Sequence, residues 1–353
     1  GLEITNSDLR GGYYSIYVYG TSTSDMDSNF TLINNRIYDW YNYGIYSWYQ
    51  MGAKIHGNTI EDKDVISFRY GFYSYYNSNA EFTENKLILS HATSGYAVYL
   101  FRFAGETNVI RSRFNNNFIS SYYDGSFIRN LLYTSSCRYA DFYYNSFNFK
   151  SNDASSSAVD MRFPSNVNFR NNIIKAESPG LAYNRSGNFI STHNNVFSRG
   201  GTISNVPLGA TDKNINPFFK SNDDLHLKSI FLNGGGIRIN GLTTDIDGDT
   251  RSTTPDMGAD EFEIDSNDIA VADLVSPLPG RCGQDSQLVK ILVLNNGTQT
   301  QTTFPVTVQV SGSVNAIISG TYSGSLGSAK YDTVNVGYIN TSAGGSLDFR
   351  MWT

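Results

Sequence analysis

The stretch that decides the fold is Phe-Thr-Leu-Ile-Asn-Asn-Arg-Ile at residues 30–37, because the chain repeats its pattern. Phe30 and Leu32 are apolar and two residues apart, Asn35 follows, and Ile37 is apolar again. The marked polar residue of this frame recurs at positions 7, 35, 58, 85, 117, 145, 172 and 195. The spacing between successive marked positions corresponds to one supersecondary unit, so the sequence predicts a solenoid.

Each repeat is predicted to contain two short strands joined by a corner. Apolar residues two apart place both side chains on one face of a strand. Asn tolerates the left-handed and bridge regions of the backbone, so we expect a one-residue corner at each marked Asn. Parallel stacking about 4.8 Å apart would let the Asn amides hydrogen-bond along the stack. The alternative, unrelated hairpins in a sandwich, would need turn signals at shorter spacing.

The repeat resembles the right-handed parallel β-helix superfamily, the pectate-lyase-like solenoids with an asparagine ladder. The resemblance covers residues 1–262 and implies a fold more than a function, because this solenoid hosts lyases, hydrolases, adhesins and inert stalks. The frame stops at Val206, and residues 206–262 are similar to the C-terminal cap of secreted bacterial β-helix proteins. Such a cap is expected to hide the open apolar end of the last rung.

A second domain is predicted after a short polar linker at residues 263–267. Residues 268–353 show short alternating strands separated by turn signals such as Asn295-Asn296-Gly297, which is typical of an antiparallel β-sandwich. This region resembles the Ig-like adhesion-type modules that often accompany β-helices in large bacterial surface proteins exported by type IX secretion. We expect the module to be incomplete, the chain to be a piece of a longer secreted or cell-surface protein, and the fold class to be all-β.

Composition restricts the partners. Charged residues are 16% of the chain, aromatic residues are 14%, and 26 basic against 32 acidic residues give a net charge of −6. This balance argues against nucleic acid or an anionic membrane as the main partner. No apolar run approaches the roughly 18 residues of a membrane span, so no membrane insertion is predicted. The two cysteines, Cys137 and Cys282, are too few for a disulfide framework.

An aromatic stripe is the sharpest functional feature of the sequence. Four segments that follow a glycine align with one another, and strand alternation predicts that their second and fourth residues point outward. These residues are Tyr14, Ile16, Tyr46, Trp48, Tyr73, Tyr75, Ala97 and Tyr99. Tyr46, Trp48, Tyr73, Tyr75 and Tyr99 are candidate binding residues for glycans or other surface proteins, because aromatic faces bury apolar area and leave sugar hydroxyls solvated. Alternatively, the loops at 21–29 and 61–67 cover the stripe, or a one-residue shift turns it into core.

Four acidic residues form a candidate metal site: Asp245, Asp247 and Asp249 alternate, and Asp256 follows. Carboxylates at this spacing could surround Ca²⁺, which prefers six to eight oxygen ligands. The pattern departs from an EF-hand loop, because the glycine, Gly248, is fourth rather than sixth. The alternative is a polar turn whose Asp side chains cap backbone amides.

Catalytic residues are not recognisable. The candidate carboxylates and arginines are Asp25, Asp27, Glu61, Asp62, Asp64, Asp124, Asp160, Arg111, Arg113 and Arg162. They form no constellation of the kind that a lyase or a glycosidase requires, and the four histidines lack metal-site spacing. The sequence therefore predicts a structural stalk or adhesin without catalytic residues. A polysaccharide lyase or glycoside hydrolase of the β-helix type is the alternative.

Overall fold

The structure is a computed structural model that describes residues 1–62, 68–280 and 283–353. The regular elements in these ranges are β-strands, so the predicted all-β fold class is confirmed. The chain divides into two compact units: Gly1–Leu227 with Leu232–Phe262, and Lys228–Phe231 with Glu263–Thr353. Among the described residues, no helix has the length and apolar character that crossing a membrane requires.

The first unit is a solenoid of three parallel sheets, each with eight strands. Sheet A consists of Glu3–Thr5, Thr31–Ile33, Lys54–His56, Glu81–Thr83, Ser112–Asn115, Arg138–Tyr143, Ser165–Arg170 and Ile190–Thr192. Sheet B consists of Asp8–Arg10, Arg36–Tyr38, Thr59–Glu61, Lys86–Leu89, Phe118–Ser121, Ser146–Lys150, Ile173–Glu177 and Asn195–Arg199. Sheet C consists of Tyr14–Tyr19, Tyr43–Trp48, Arg69–Tyr75, Ser94–Phe101, Phe127–Ser135, Ser157–Arg162, Leu181–Arg185 and Thr202–Ser204. Asp27–Ser28 and Gln50–Met51 form a further short parallel pair.

The asparagine ladder lies between sheets A and B, as the repeat predicts. Each ladder amide donates to the side-chain oxygen of the next, for example Asn85 Nδ2 to Asn117 Oδ1 at 3.3 Å and Asn117 Nδ2 to Asn145 Oδ1 at 2.9 Å. The last amide of the ladder is Asn194, which receives Asn172 Nδ2 at 3.1 Å, so the expected position 195 is wrong by one residue. Asn195 instead exchanges two hydrogen bonds with Ile215.

That error has a local cause. Ser191 pairs with Phe169 and therefore occupies the inward position of sheet A in the last rung. Its hydroxyl lies 3.1 Å from that of Tyr183. A polar residue at an inward position hides the apolar frame from sequence inspection.

The corners also differ from expectation. The left-handed residue is the one before each ladder position, with φ between 49° and 66°: Asn6, Asn34, Gly57, Glu84, Asn116, Tyr144, Asn171 and His193. The ladder residue itself follows the corner and directly precedes the first paired residue of the sheet B strand, as Asn85 precedes Lys86. Glu84, Tyr144 and His193 accept this conformation although it is uncommon for such side chains, because the surrounding rungs fix the backbone.

Stacked side chains fill the interior of the solenoid. Leu32, Phe82, Phe114 and their counterparts from all three sheets form one continuous buried cluster. Phe82 stacks on Phe114 at 5.0 Å and on Phe72 at 4.8 Å. Each rung therefore buries its apolar residues against the next, which a single rung cannot do alone.

The position of the segment after the solenoid differs from that of the predicted end cap. Only its beginning closes the last rung, where Asp212 Oδ1 accepts Asn194 N–H at 2.9 Å and Leu208 packs on the core. Residues 214–227 and 232–262, here called the lateral segment, instead cover the outer side of sheet B. Two small apolar clusters anchor them around Phe118 and Ile173.

The second unit contains two antiparallel sheets. Sheet D is Ile269–Ser276, Gln287–Asn295 and Tyr331–Ile339, and sheet E is Gln301–Gly312, Ala316–Leu326 and Leu347–Trp352. Both sheets contribute to one buried core, which includes Val289, Ile291 and Val293 of sheet D and Val306 and Val308 of sheet E. The predicted sandwich of antiparallel strands is therefore observed, while its likeness to Ig-like adhesion modules stays a prediction.

Candidate functional site

The outer face of sheet C carries three columns of aromatic side chains, here called the aromatic array. The first column is Tyr14, Tyr43, Tyr70 and Tyr96; the second is Tyr17, Tyr46, Tyr73, Tyr99 and Tyr133; the third is Tyr19, Trp48, Tyr75 and Phe101. The parallel register of the strands places each ring beside the ring of the next rung. The five candidate binding residues Tyr46, Trp48, Tyr73, Tyr75 and Tyr99 all belong to the array and are all partly exposed.

Rings within a column are offset-stacked. Tyr46 lies 5.2 Å from Tyr73 with 5° between the ring planes, and Tyr73 lies 4.9 Å from Tyr99 with 7° between them. In the third column Trp48 lies 4.6 Å from Tyr75. Neighbouring rings of the first two columns meet edge to face, as Tyr70 and Tyr73 do at 5.2 Å and 83°. Both arrangements are favourable for aromatic pairs.

Two of the predicted outward residues point inward. Ile16 and Ala97 are buried in the solenoid core. Sheet C strands depart from simple alternation, since Gly44 and Ile45, and likewise Ala97 and Val98, are consecutive buried residues. The extra inward residue shifts the inward–outward alternation of the strand by one residue. Aligning the four segments on their glycines therefore did not place them in the register of sheet C. The same shift explains why Tyr43, Tyr70 and Tyr96 of the first column were not predicted to point outward.

The array presents ring edges and hydroxyl groups rather than open ring faces. A side chain on a strand stands roughly perpendicular to its sheet, so each tyrosine hydroxyl points away from sheet C. An interior ring such as Tyr73 has a stacked neighbour on either side. The expectation that a sugar stacks on these faces is therefore corrected: a ligand would meet a ridge of C–H edges and phenol groups.

Five phenols in the middle of the array remain protonated over the physiological pH range, because their pKa is raised. Burial, followed by the effect of neighbouring tyrosines, raises the pKa of Tyr46, Tyr70 and Tyr73 well above the usual value. Burial likewise raises the pKa of Tyr96 and Tyr99. Each of these five hydroxyls can therefore both donate and accept a hydrogen bond.

The outer faces of sheets A and C differ in character. On the outer face of sheet A, the corresponding column is Thr31, Lys54, Glu81, Arg113 and Asp141. There, Arg113 pairs with Glu81 at 3.3 Å. The same rungs therefore carry charged residues on one face and aromatic residues on another.

Polar residues bound the array at one end. In register with Tyr133 lies Asp160, whose carboxylate pairs with Arg162 at 2.8 Å. The guanidinium of Arg162 lies 5.3 Å from the Tyr133 ring centroid, within cation–π range. Arg102 lies 4.8 Å from the ring of Tyr76 at the lateral border.

The family follows from a comparison with known proteins. Residues 16–212 match the family model described as the right handed beta helix region. The chain belongs to the right-handed β-helix family. No curated protein and no solved structure gives a significant match. The parallel β-helix is thus established, and its function is not.

Of the two loops predicted to cover the array, the loop at 21–29 lies at its border. Thr23 and Met26, of the predicted covering loop at 21–29, line a groove with Tyr76, Arg102 and Arg138 at the border of the β-helix. Residues 63–67 of the other predicted loop lie outside the described residues. The side chains of the array are partly exposed when only the described residues are considered.

The four predicted metal ligands do not converge on one point. Asp245 is buried, and its Oδ1 accepts the N–H groups of Asp247 and Asp249 at 2.9 and 2.8 Å. Its Oδ2 accepts Glu261 N–H at 2.9 Å. Asp256 uses its two oxygens for the N–H groups of Gly234 and Phe262. Both carboxylates therefore brace the lateral segment of the β-helix.

A different group comes together nearby. His226, Asp247 and Asp260 place one potential ligand atom each within 4.8 Å of one another. Sequence inspection missed His226 and Asp260 because they lie outside the alternating Asp245–Asp249 motif, on other turns of the lateral segment. No periodic signal marks them.

A pH dependence follows from Asp256. Burial raises the pKa of Asp256 to about 7, against hydrogen bonds from Phe262 and Gly234 that favour the charged form. An unfolded Asp titrates near pH ~3.9, so between these values the folded state binds more protons and stability falls as pH rises. We expect the thermal midpoint to fall by several degrees more between pH 4.5 and 7.5 in the natural chain than in Asp256→Asn. Parallel pH profiles of the two proteins would contradict this.

Three of the candidate catalytic carboxylates, Asp62, Asp124 and Asp160, have structural partners. Asp62 is buried and accepts the N–H groups of Ser90 and His91. Asp124 pairs with Lys150, and Asp160 pairs with Arg162. Asp64 and Cys282 lie outside the described residues, and Cys137 is a buried free thiol whose pKa burial raises to about 12.

Proposed function

We propose that the chain is a non-catalytic segment of a secreted or cell-surface protein that binds an extended glycan along the aromatic array. The observation that carries the proposal is the concentration of aromatic residues on the outer face of sheet C, where the outer face of sheet A has charged residues. A contiguous aromatic surface of this kind is rare on a monomeric soluble protein and marks an interaction site.

The chemistry of the ridge suits a sugar polymer. Ring edges offer apolar contact to the C–H groups of a sugar, and each neutral phenol can exchange hydrogen bonds with its hydroxyls. Ring centroids recur every 4.8–5.5 Å along the first column. A regular polymer can therefore repeat the same contacts from rung to rung, and many weak contacts add up through effective concentration.

Substitutions within the array test the proposal. In a glycan-array screen of the full chain, we expect specific binding that Trp48→Ala and Tyr73→Ala weaken at least about tenfold, since central aromatic residues dominate such interfaces. Tyr73→Phe keeps the ring and removes the hydroxyl, so it separates apolar contact from hydrogen bonding.

Tyr338→Ala is the matched control, because Tyr338 is an exposed tyrosine of the second unit, 66% accessible. It should leave binding unchanged, and all variants should keep the thermal midpoint of the natural chain within a few degrees. A screen without any bound glycan, or equal loss of binding in the control, would refute the proposed function.

A further inference from the structure

Three parts of the lateral segment meet at His226. The imidazole Nε2 lies 2.6 Å from Asp247 Oδ2, and Nδ1 contacts the carboxylate of Asp224. The ring packs edge-on against Phe118 of sheet B at 5.0 Å. Asp260 completes the group from a third turn of the chain.

Each ring nitrogen of His226 faces a carboxylate, so the protonation of the ring determines which contact is favourable. A neutral imidazole has one N–H and one lone pair, so it can donate to only one of two flanking carboxylates. With Nδ1–H donating to Asp224, the Nε2 lone pair faces Asp247. That arrangement is favourable only if the ring carries a second proton or if a cation lies between Nε2 and the carboxylate.

Asp260 favours a cation. It is 7% exposed, and among the described residues its only hydrogen bond is from Leu227 N–H to Oδ2 at 3.2 Å. Its Oδ1 therefore keeps acceptor capacity that a cation could use. Largely burying a carboxylate that accepts one hydrogen bond is costly, and a nearby positive charge would compensate this cost.

We propose that His226, Asp247 and Asp260 bind a divalent transition-metal ion, of which Zn²⁺ is the representative. One imidazole nitrogen and two carboxylate oxygens suit zinc better than calcium, which prefers six or more oxygens. Asp224 acts as the outer carboxylate that orients the ring through Nδ1–H, a common arrangement around metal-binding histidines.

Small adjustments open the site. Tetrahedral zinc with ligands at about 2.0–2.2 Å separates ligand atoms by roughly 3.4 Å. Asp247 Oδ2 therefore needs to withdraw from Nε2 by less than about 1 Å, which side-chain rotation supplies. Lys86 Nζ lies 3.7 Å from the other oxygen of Asp247, Oδ1, so Oδ2 is the one that faces the ion. The ion would join three turns of the lateral segment and so stabilise its packing on sheet B.

Metal titration of the full chain tests the site. After removal of metal with EDTA and dialysis, we expect isothermal titration with ZnCl₂ to show one site that His226→Gln and Asp260→Asn each weaken at least about tenfold. Saturating Zn²⁺ should raise the thermal midpoint of the natural chain by roughly 5 °C, and of these two variants by much less.

His56→Gln is the matched control, since His56 is a partly exposed histidine 3.6 Å from Glu84 outside the site. It should bind Zn²⁺ as the natural chain does. Equal binding by the natural chain and His226→Gln, binding of CaCl₂ but not ZnCl₂, or no metal binding at all would overturn the proposal and leave a doubly protonated His226 between two carboxylates.

Discussion

Replacing Asn117 with alanine is expected to lower the free energy of unfolding of the β-helix by about 3–5 kcal/mol, since each buried polar group left without a partner costs about 1–3 kcal/mol. Asn117 is fully buried; its Oδ1 accepts Asn85 N–H at 2.9 Å, and its Nδ2 donates to Phe82 O and Asn145 Oδ1. Alanine removes all of these bonds from a fully buried site and leaves their backbone and side-chain partners unpaired.

Urea unfolding followed by tryptophan emission measures this effect, because Trp40 and Trp48 lie in the β-helix. Asn108→Ala is the control, since Asn108 is exposed and lies outside the ladder. It should change stability by less than about 0.5 kcal/mol. Equal effects of the two substitutions would show that the ladder does not stabilise the fold.

The second large effect is expected at Arg251, which fastens the lateral segment. Its guanidinium donates to Asn116 Oδ1 and to the carbonyls of Gly258 and Ala259, and it lies 3.9 Å from the ring centroid of Tyr144. It also pairs with Glu261 at 3.2 Å. Breaking a buried pair by removing one partner costs about 3–5 kcal/mol, so Arg251→Ala should detach the lateral segment from sheet B.

Limited proteolysis reports this detachment directly. In Arg251→Ala we expect cleavage within residues 232–262 to accelerate at least about tenfold, because these residues contain no strand of the sheets and can open locally. Arg238→Ala, an exposed arginine of the same segment, should be cleaved like the natural chain. Unchanged cleavage of Arg251→Ala would mean that the apolar clusters hold the segment without the arginine.

The solenoid was predictable because its signal is repeated. Leu32, Asn35 and Ile37 recur with nearly fixed spacing, and each occurrence supports the others. The frame failed where one rung placed Ser191 at an inward position. The corners were misplaced by one residue because αL geometry depends on backbone pairing, which residue types such as Glu84 do not reveal.

The aromatic array was predictable only in part. Outward placement of Tyr46, Trp48 and Tyr73 follows from simple alternation, but Ile16 and Ala97 were misassigned because consecutive inward residues break that alternation.

The sequence predicted an end cap at residues 206–262, but the position of the lateral segment over sheet B depends on tertiary contacts of Phe118 and Ile173. The same holds for the group around His226, whose members come from separate turns of the chain. Long-range packing of this kind leaves no periodic pattern in one sequence.

Hydroxyl-radical footprinting of the full chain, with and without the glycan that binds best in the screen, tests the central claim most directly. The account predicts that the glycan reduces labelling of Trp48, Tyr73 and Tyr99 and leaves Tyr338 unchanged. Protection of residues outside sheet C, with the aromatic array labelled equally in both samples, would contradict it.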